Sequence, residues 1–512
     1  MVLAALILVP LGLALVALLW PVARQRPWLL PLGGVAHLVL SIVAVAGRPE
    51  QLTPWLGLDP IARLLLVAVS VLFLATSLYT PGYLALKPGR DQRVFTACLL
   101  ALLGMISAIL AAQHLGLMWV ALEACTLTTA PLLYFHRNAR SLEALWKYLL
   151  VGSVGIAIAF LGTLFLAYSA LHAGLKPSLV LSDLVGDAPR LSRPWLHSGF
   201  VLLFIGYGTK MGLAPMHTWK PDAYGEASGL VGTLLAGGVS SAAFLAILRF
   251  HKILVAAGDG AFGRQIMLVA GLLSIAVAAA FMARLRDFKR LLAYSSVEHM
   301  GILVLGVGIG GGATLGAMLH LVNNALVKGV LFLAAGNIHR VYGSKRAAAP
   351  EGLTPTPHEG ERGEAADEAD RPPPSATSPA LASSVPVSGL LRRLPWSGAL
   401  LLLGFLAVTG SPPFGTFVSE LTIVRGAFAT GHGAAGVAFL GLLFVVFVGM
   451  GSTVLAMAQG PAPSTVPAER RDTLLTIAPV VALLACVLGL GLYLPAGLQT
   501  AFAEAAAWLE GP

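Results

Sequence analysis

Four ionisable side chains stand inside stretches otherwise apolar enough to lie in lipid. Glu123 is in GLMWVALEACTLTTAPLL, Lys210 in VLLFIGYGTKMGLAP, Lys328 in HLVNNALVKGVLF and Glu420 in GSPPFGTFVSE. A lysine at the centre of a membrane helix costs about 2.5–3.5 kcal/mol on insertion scales, so it needs a partner or a purpose. The chemistry open to such a set is proton transfer. Lysine and glutamate take and give up protons when burial and an opposite charge bring their affinities together, and a Glu–Lys pair can switch because each charge alters the other. His320, Asn323, Asn324, Glu298 and His299 lie nearby in the sequence. For any one of these residues the plain alternative is a static ion pair or a cross-helix hydrogen bond. That alternative weighs most for His320 and for Glu298 with His299, read as sitting near a span end. It weighs least for the four charges on separate spans taken together.

Two of the four charges lie beside interrupted helices. In VLLFIGYGTKMGLAPMHTWKPDAYGE, residues 201–226, an apolar run breaks at Gly212 and Pro215 just after Lys210. In GSPPFGTFVSE the break at Pro412 and Pro413 precedes Glu420. A proline in a helix frees backbone groups that lipid cannot satisfy, so such breaks belong where they are buried or line a cavity. Paired breaks in corresponding places mark inverted repeats in transporters. An offset of five spans reverses orientation, as inversion requires, and the repeats are read as residues 94–250 and 264–457. An N-terminal unit of 1–93 and a C-terminal helix and tail of 474–512 flank them.

The whole composition agrees with a membrane setting. Of 512 residues, 57% are hydrophobic and 11% charged, with a mean hydropathy of +0.82. Soluble domains carry about 25% charged residues. The predicted fold is an all-α polytopic membrane protein of about fourteen transmembrane helices. The spans read as 2–20, 28–46, 60–80, 94–112, 116–135, 145–171, 197–216, 228–250, 264–283, 291–309, 313–337, 396–428, 434–457 and 474–498. The net charge of +9 falls in short connections and forms no basic stripe for nucleic acid. Alternate loops carry Arg24 and Arg26; Lys87, Arg90 and Arg93; Arg137 and Arg140; Arg284, Arg286, Lys289 and Arg290; Lys345, Arg346, Arg392 and Arg393; and Arg470 and Arg471. The positive-inside rule makes that side cytoplasmic and both termini non-cytoplasmic. Arg249 and Lys252, with Lys176, Arg190 and Arg193, are exceptions.

Residues 347–395 are rich in Pro, Ser, Ala and Glu and read as a disordered cytoplasmic linker inserted in the second repeat. Cys98, Cys125 and Cys486 are the three cysteines, and none forms a CxxC pair. They cannot supply the usual four thiolates of an iron–sulfur cluster, and no Rossmann fingerprint is present, so no redox cofactor and no metal is expected in this chain. The first apolar run has no basic stretch before it and reads as a retained helix rather than a signal peptide.

GTKMGLAPMHTWKPDAYGEA, RDFKRLLAYSSVEHMG, HLVNNALVKGVLFLAAG and GSPPFGTFVSE together resemble the antiporter-like subunits shared by complex I and Mrp-type cation/proton antiporters. Within that family, ALEACTLTTAPLLYFHRNARSLEALWKYLL and YSSVEHMG look most like the F-type hydrogenase-4 branch, found with group 4 membrane-bound hydrogenases and formate hydrogenlyases. The resemblance implies a fourteen-helix proton channel with broken seventh and twelfth spans. It implies that Glu123 and Lys210 are the fifth- and seventh-span pair, Lys328 the central lysine and Glu420 the terminal group. His320 matches the first histidine of an HxxxHxxxK pattern, and Asn324 stands where the second would be. Ser240 and Ser241 occupy the eighth-span place where many relatives carry a lysine or histidine. Lys147, Ser240, Ser241, Glu298, His299 and Asn324 are counted as supports of the relay.

The leading reading is a proton-translocating membrane subunit of a respiratory or hydrogenase-type oxidoreductase complex in a bacterial cytoplasmic membrane. Its partners would be other membrane subunits and a peripheral electron-transfer module. Iron–sulfur clusters and nickel–iron or flavin/quinone centres are expected only in those partners. The alternatives are a subunit of a cation/proton antiporter or of an ion-driven uptake complex without redox partners, and a membrane scaffold for a catalytic module that has lost transport; the choice between proton and sodium stays open.

Overall fold

Residues 1–47, 53–85, 92–348, 386–461, 463 and 471–511 are described in the computed structural model, and among them the regular structure is helical. In chain order the helices are α1 (Val2–Leu19), α2 (Leu29–Gly47), α3 (Pro60–Ala85), α4 (Arg93–Ala111), α5 (Leu115–Leu133), α6 (Ala139–His172) and α7 (Leu181–Asp187). Next come α8 (Arg193–Met211), α9 (Trp219–Glu226), α10 (Gly229–Leu234), α11 (Ser240–Ala256), α12 (Gly260–Met282), α13 (Phe288–Ile309) and α14 (Gly312–Tyr342). The last six are α15 (Leu390–Arg393), α16 (Pro395–Val408), α17 (Gly415–Ala429), α18 (Gly433–Ala458), α19 (Leu474–Leu492) and α20 (Ala496–Glu510).

Twelve helical segments among the described residues are long and apolar enough to cross a membrane, with α10 and α11 counted as one through the π turn Leu235–Val239. The two expected breaks are present. α8 ends at Met211, with Gly212 at φ +79°, and α9 starts at Trp219. α16 ends at Val408, Gly410 takes φ +64°, and α17 starts at Gly415. Such φ values favour glycine because they carry no Cβ penalty there. The freed backbone groups find partners inside the protein, as a lipid setting demands. The Gly212 and Leu213 N–H groups both donate to the Gly208 carbonyl at 2.7 and 2.9 Å, and the Trp219 indole donates to the Thr209 carbonyl at 2.8 Å. The Ala214 N–H donates to Ser274 Oγ at 3.0 Å. At the second break, Thr416 Oγ1 donates to the Ala407 carbonyl.

Burial sorts the helices into a centre and a lipid-facing rim. The apolar windows of Gly229–Ala256, α13 and α14 are 100%, 94% and 94% buried, against 28% for both α1 and α18. Small residues let the central helices meet backbone to backbone. Gly206 on α8 lies against Ala159 on α6, and Gly308 on α13 against Leu268 on α12.

Several expectations change. Arg249 and Lys252 are not loop charges. Arg249 is buried in α11, where it donates to Asp59 Oδ2 at 2.7 and 2.9 Å, and Lys252 donates to the Gly511 carbonyl at 2.7 Å. The last span stops at Leu492 instead of residue 498, and the tail is a separate helix, α20. Glu510 at its end accepts from Arg264 at 3.0 Å, Thr314 at 2.5 Å and the Gly311 N–H at 3.2 Å. Both described ends of the predicted linker 347–395 are packed against the protein. The Val387 N–H donates to the Arg346 carbonyl at 2.7 Å, the Ala348 N–H donates to the Val387 carbonyl at 3.1 Å, and α15 follows at Leu390. Buried Ala347, Val387 and Leu390 anchor those ends in the core. Its remaining stretch, 349–385, lies outside the described residues, as do the predicted loop charges Lys87, Arg90 and Arg470.

Candidate proton-transfer site

α5, α6 and the end of α8 build the first part of the site. Lys210, one residue before the end of α8, sits where the helix dipole favours a cation. Its ammonium lies 3.8 Å from Glu123 Oε2 and donates to Thr126 Oγ1, one turn further along α5. The Tyr148 ring faces it at 5.4 Å. Glu123 accepts from Thr126 Oγ1 and from Ser153 Oγ, both at 3.2 Å. The pair is asymmetric, since the lysine side chain is 2% exposed and the glutamate 23%. Glu123 thus reaches the surface of this chain midway along α5, while Lys210 is enclosed by its neighbours.

The second part lies between α13, α14 and α17. Lys328 on α14 is fully buried and donates to Ser295 Oγ on α13 at 2.6 Å. It is close enough to Glu298, His299 and His320 for their charges to act on one another. His299 Nδ1 and His320 Nε2 share a hydrogen bond at 2.8 Å, with the rings stacked at 5.0 Å. His320 Nδ1 continues to Ser419 Oγ at 2.9 Å. The next residue, Glu420, is 5% exposed, and its Oε1 has no hydrogen-bond partner among the described protein groups. The carboxylate packs over Gly410, where a Cβ would collide with it. That close approach needs the glycine of the break.

Glu298 and His299 are not near a span end, as their position in the sequence suggested. They lie in the middle of α13, at 1% and 0% exposure, with His299 Nε2 4.0 Å from Glu298 Oε2. The ligand atoms of His299, His320 and Glu420 lie within 4.8 Å of one another and could hold a metal ion. Both ring nitrogens of His320 are already engaged, by His299 and by Ser419, which makes hydrogen-bond transfer the better fit. Asn324 is fully buried, and among the described residues neither of its side-chain atoms has a hydrogen-bond partner, while the neighbouring Asn323 donates to the Leu319 carbonyl at 2.9 Å.

Lys147 stands apart from the buried groups. Half exposed, it pairs with Glu143 at 2.6 Å and Asp222 at 2.9 Å, and Asp222 also takes Arg290 at 2.9 Å. Ser240 and Ser241 are buried beside the π turn, and Ser240 Oγ is 3.4 Å from the Tyr224 hydroxyl. Sequence reading passed over Lys220, which is 0% exposed in α9 and donates to Ser296 Oγ at 3.1 Å. It followed the break in a patch that looked polar and loop-like. Its signal was its distance of ten residues from Lys210, across the same break.

The middle of the chain, residues 112–356, matches the family model for the transmembrane part of NADH:quinone oxidoreductase and Mrp antiporters. The chain is 35% identical over 396 residues to the hydrogenase-4 component F homolog of Methylacidiphilum infernorum, covering 75% of this chain and 74% of that protein. It is 31% identical to NADH-quinone oxidoreductase subunit 14 of Thermus thermophilus, over 90% of this chain and 92% of that one. In fold it is similar to a chain of the Mrp complex from Dietzia sp. DQ12-45-1b, with a TM-score of 0.81 at 19% identity over 99% of this chain and 97% of that one. The chain belongs to the family of membrane subunits shared by NADH:quinone oxidoreductases and Mrp antiporters.

Proposed function

We propose that this chain is the proton-translocating membrane subunit of a respiratory or hydrogenase-type oxidoreductase complex, driven by electron transfer in partner subunits. The observation that carries the reading is the step from partly exposed Glu123 to buried Lys210, followed by a second buried set at Lys328, Glu298, His299, His320 and Glu420. So many ionisable groups in a protein interior are too costly to keep as packing alone. In this reading Glu123 takes up the proton, Lys210 carries it inward, and Lys328 hands it through the two histidines and Ser419 to Glu420. Asn324 orders the path without binding a proton, since a carboxamide donates and accepts hydrogen bonds but does not titrate.

The two helix breaks carry Lys210 and Glu420 in corresponding places of the inverted repeats 94–250 and 264–457. Counting both broken helices as spans brings the total to fourteen. The setting is a bacterial cytoplasmic membrane, with both termini on the non-cytoplasmic face. The start of α12, the end of α13 and the close of α20 meet through Arg264, Gly311 and Glu510, as expected if all lie on that face. The redox centres belong to partner subunits.

The test is Lys210→Ala and Glu123→Gln in the assembled complex. Each is expected to lower redox-driven proton uptake into proteoliposomes at least tenfold while the complex still assembles. Full uptake in both variants would end the relay assignment.

A further inference from the structure

The two halves of the relay leave a gap at the eighth span, where Ser240 and Ser241 stand and neither can serve as a buried cation. Lys220 lies in that gap. Its ammonium donates to Ser296 Oγ at 3.1 Å, and the adjacent Ser295 Oγ accepts from Lys328 at 2.6 Å. Two neighbouring serines on α13 therefore receive lysines from two different elements, α9 and α14. Lys220 and Lys328 are close enough to act on each other electrostatically. The Lys220 ammonium also faces the Tyr224 ring at 5.7 Å, and the Tyr224 hydroxyl lies 3.4 Å from Ser240 Oγ, so the eighth-span position adjoins the same network.

The same side chain also occupies the helix break that follows Lys210. Its Cδ, Cε and Nζ fill the space that a Cβ on Gly212 would need, so the side chain runs back into the helix break two residues beyond Lys210. The break thus makes room for a second lysine as well as ending α8.

We propose that Lys220 is a proton-binding residue linking the two halves of the relay, taking the place of the eighth-span cation through the Ser296–Ser295 pair. The step is a proton transfer along hydrogen bonds: the ammonium of Lys220 releases a proton towards the serine pair and Lys328, and regains one from the Lys210 side. No other bond is made or broken. This assignment rests on the relay reading above, and the test separates the two.

The purified full chain is reconstituted into liposomes holding the dye pyranine, and a potassium diffusion potential set with valinomycin drives proton entry. Lys220→Met and Lys220→Arg are both expected to lower the flux at least tenfold. Arginine keeps the charge but does not give up its proton, so a purely structural cation would be replaced by it with flux retained. Ser296→Ala, a small change that packing tolerates, should lower flux severalfold. The double variant Lys220→Met/Ser240→Lys should recover part of it. Full flux in Lys220→Arg or Ser296→Ala, with Glu123→Gln impaired, overturns the place of Lys220 and leaves the relay intact. No flux in the wild type, or full flux in Glu123→Gln, overturns the relay and this proposal with it.

Discussion

The buried pair Asp59–Arg249 offers a measurement of what an intramembrane charge is worth when it is not part of the proton path. Arg249 is wholly buried and makes four good contacts: two to Asp59 Oδ2 at 2.7 and 2.9 Å, and one each to the carbonyls of Ile109 at 2.9 Å and Leu110 at 2.7 Å. Asp59 Oδ1 also caps α3 by accepting from the Ala62 N–H at 2.8 Å. Asp59→Asn keeps that cap, because asparagine is as good an N-cap as aspartate. What it removes is the countercharge of a buried guanidinium, which costs about 3–5 kcal/mol when one partner alone is lost. At 1.4 kcal/mol per tenfold, that is roughly two to three and a half orders of magnitude in the folding equilibrium. Arg249→Met should cost about 1–3 kcal/mol for each carbonyl it strips of its donor. The double variant Asp59→Asn/Arg249→Met should be milder than the sum, since no unpaired charge remains. Reversible unfolding in mixed detergent–SDS micelles, followed by circular dichroism, measures all three. Proton flux per folded molecule should stay at the wild-type level. Additive losses in the double variant, or a loss of flux out of proportion to folded protein, would refute the reasoning.

Three further outcomes follow from the packing. Lys147→Ala should leave proton flux unchanged, because Lys147 is an exposed partner of Glu143 and Asp222 rather than a buried relay group, and a surface pair is worth about 0–1 kcal/mol; flux assays in proteoliposomes check this. Gly410→Ala should lower flux severalfold, much as Glu420→Gln would, because the added methyl displaces the Glu420 carboxylate and sits at φ +64°; normal flux would show that the carboxylate's place is unimportant. Replacing residues 350–385 by a short Gly/Ser connector should leave insertion and assembly intact, because Arg346, Ala348 and Val387 are held by their own hydrogen bonds; native gel electrophoresis of the assembled complex decides it.

What the sequence made legible was mostly one-dimensional. Hydropathy located the spans because lipid tolerates only long apolar helices, and glycine with proline marked both breaks because those residues change backbone geometry locally. Glu123, Lys210, Lys328 and Glu420 stood out because a charge in an apolar run has few innocent explanations. Arg249 misled for a related reason: near a helix end it reads as a loop charge, and only the fold brings Asp59, 190 residues earlier, against it. Lys220 was hidden by its neighbours. In HTWKPDAYGE one more polar residue carries no signal, and its burial depends on α13 and on the space left by Gly212. Ser295 and Ser296 were similarly silent, since serines are common in packed membrane helices and these matter only through the lysines that reach them.

Counting charges gives Lys220 a second reason to be where it is. The proposed line holds three carboxylates, Glu123, Glu298 and Glu420, and with Lys210, Lys220 and Lys328 it also holds three lysines. Leaving Lys220 out would set three potential anions against two cations in a setting where an uncompensated charge costs several kcal/mol. Ser240 and Ser241 cannot repair that imbalance, whereas a lysine from the far side of the helix break can. The order along the line is also uneven: the acid comes first at Glu123–Lys210, and the lysine first at Lys328–Glu298. A proton arriving at Glu123 leaves the excess positive charge on the three lysines in the middle, and the nearest buried carboxylates able to absorb it lie at the opposite end, towards Glu420. On the proposed reading, that arrangement makes the central lysines the part of the path most sensitive to charge in neighbouring subunits, and so the place where electron transfer elsewhere in a complex would act.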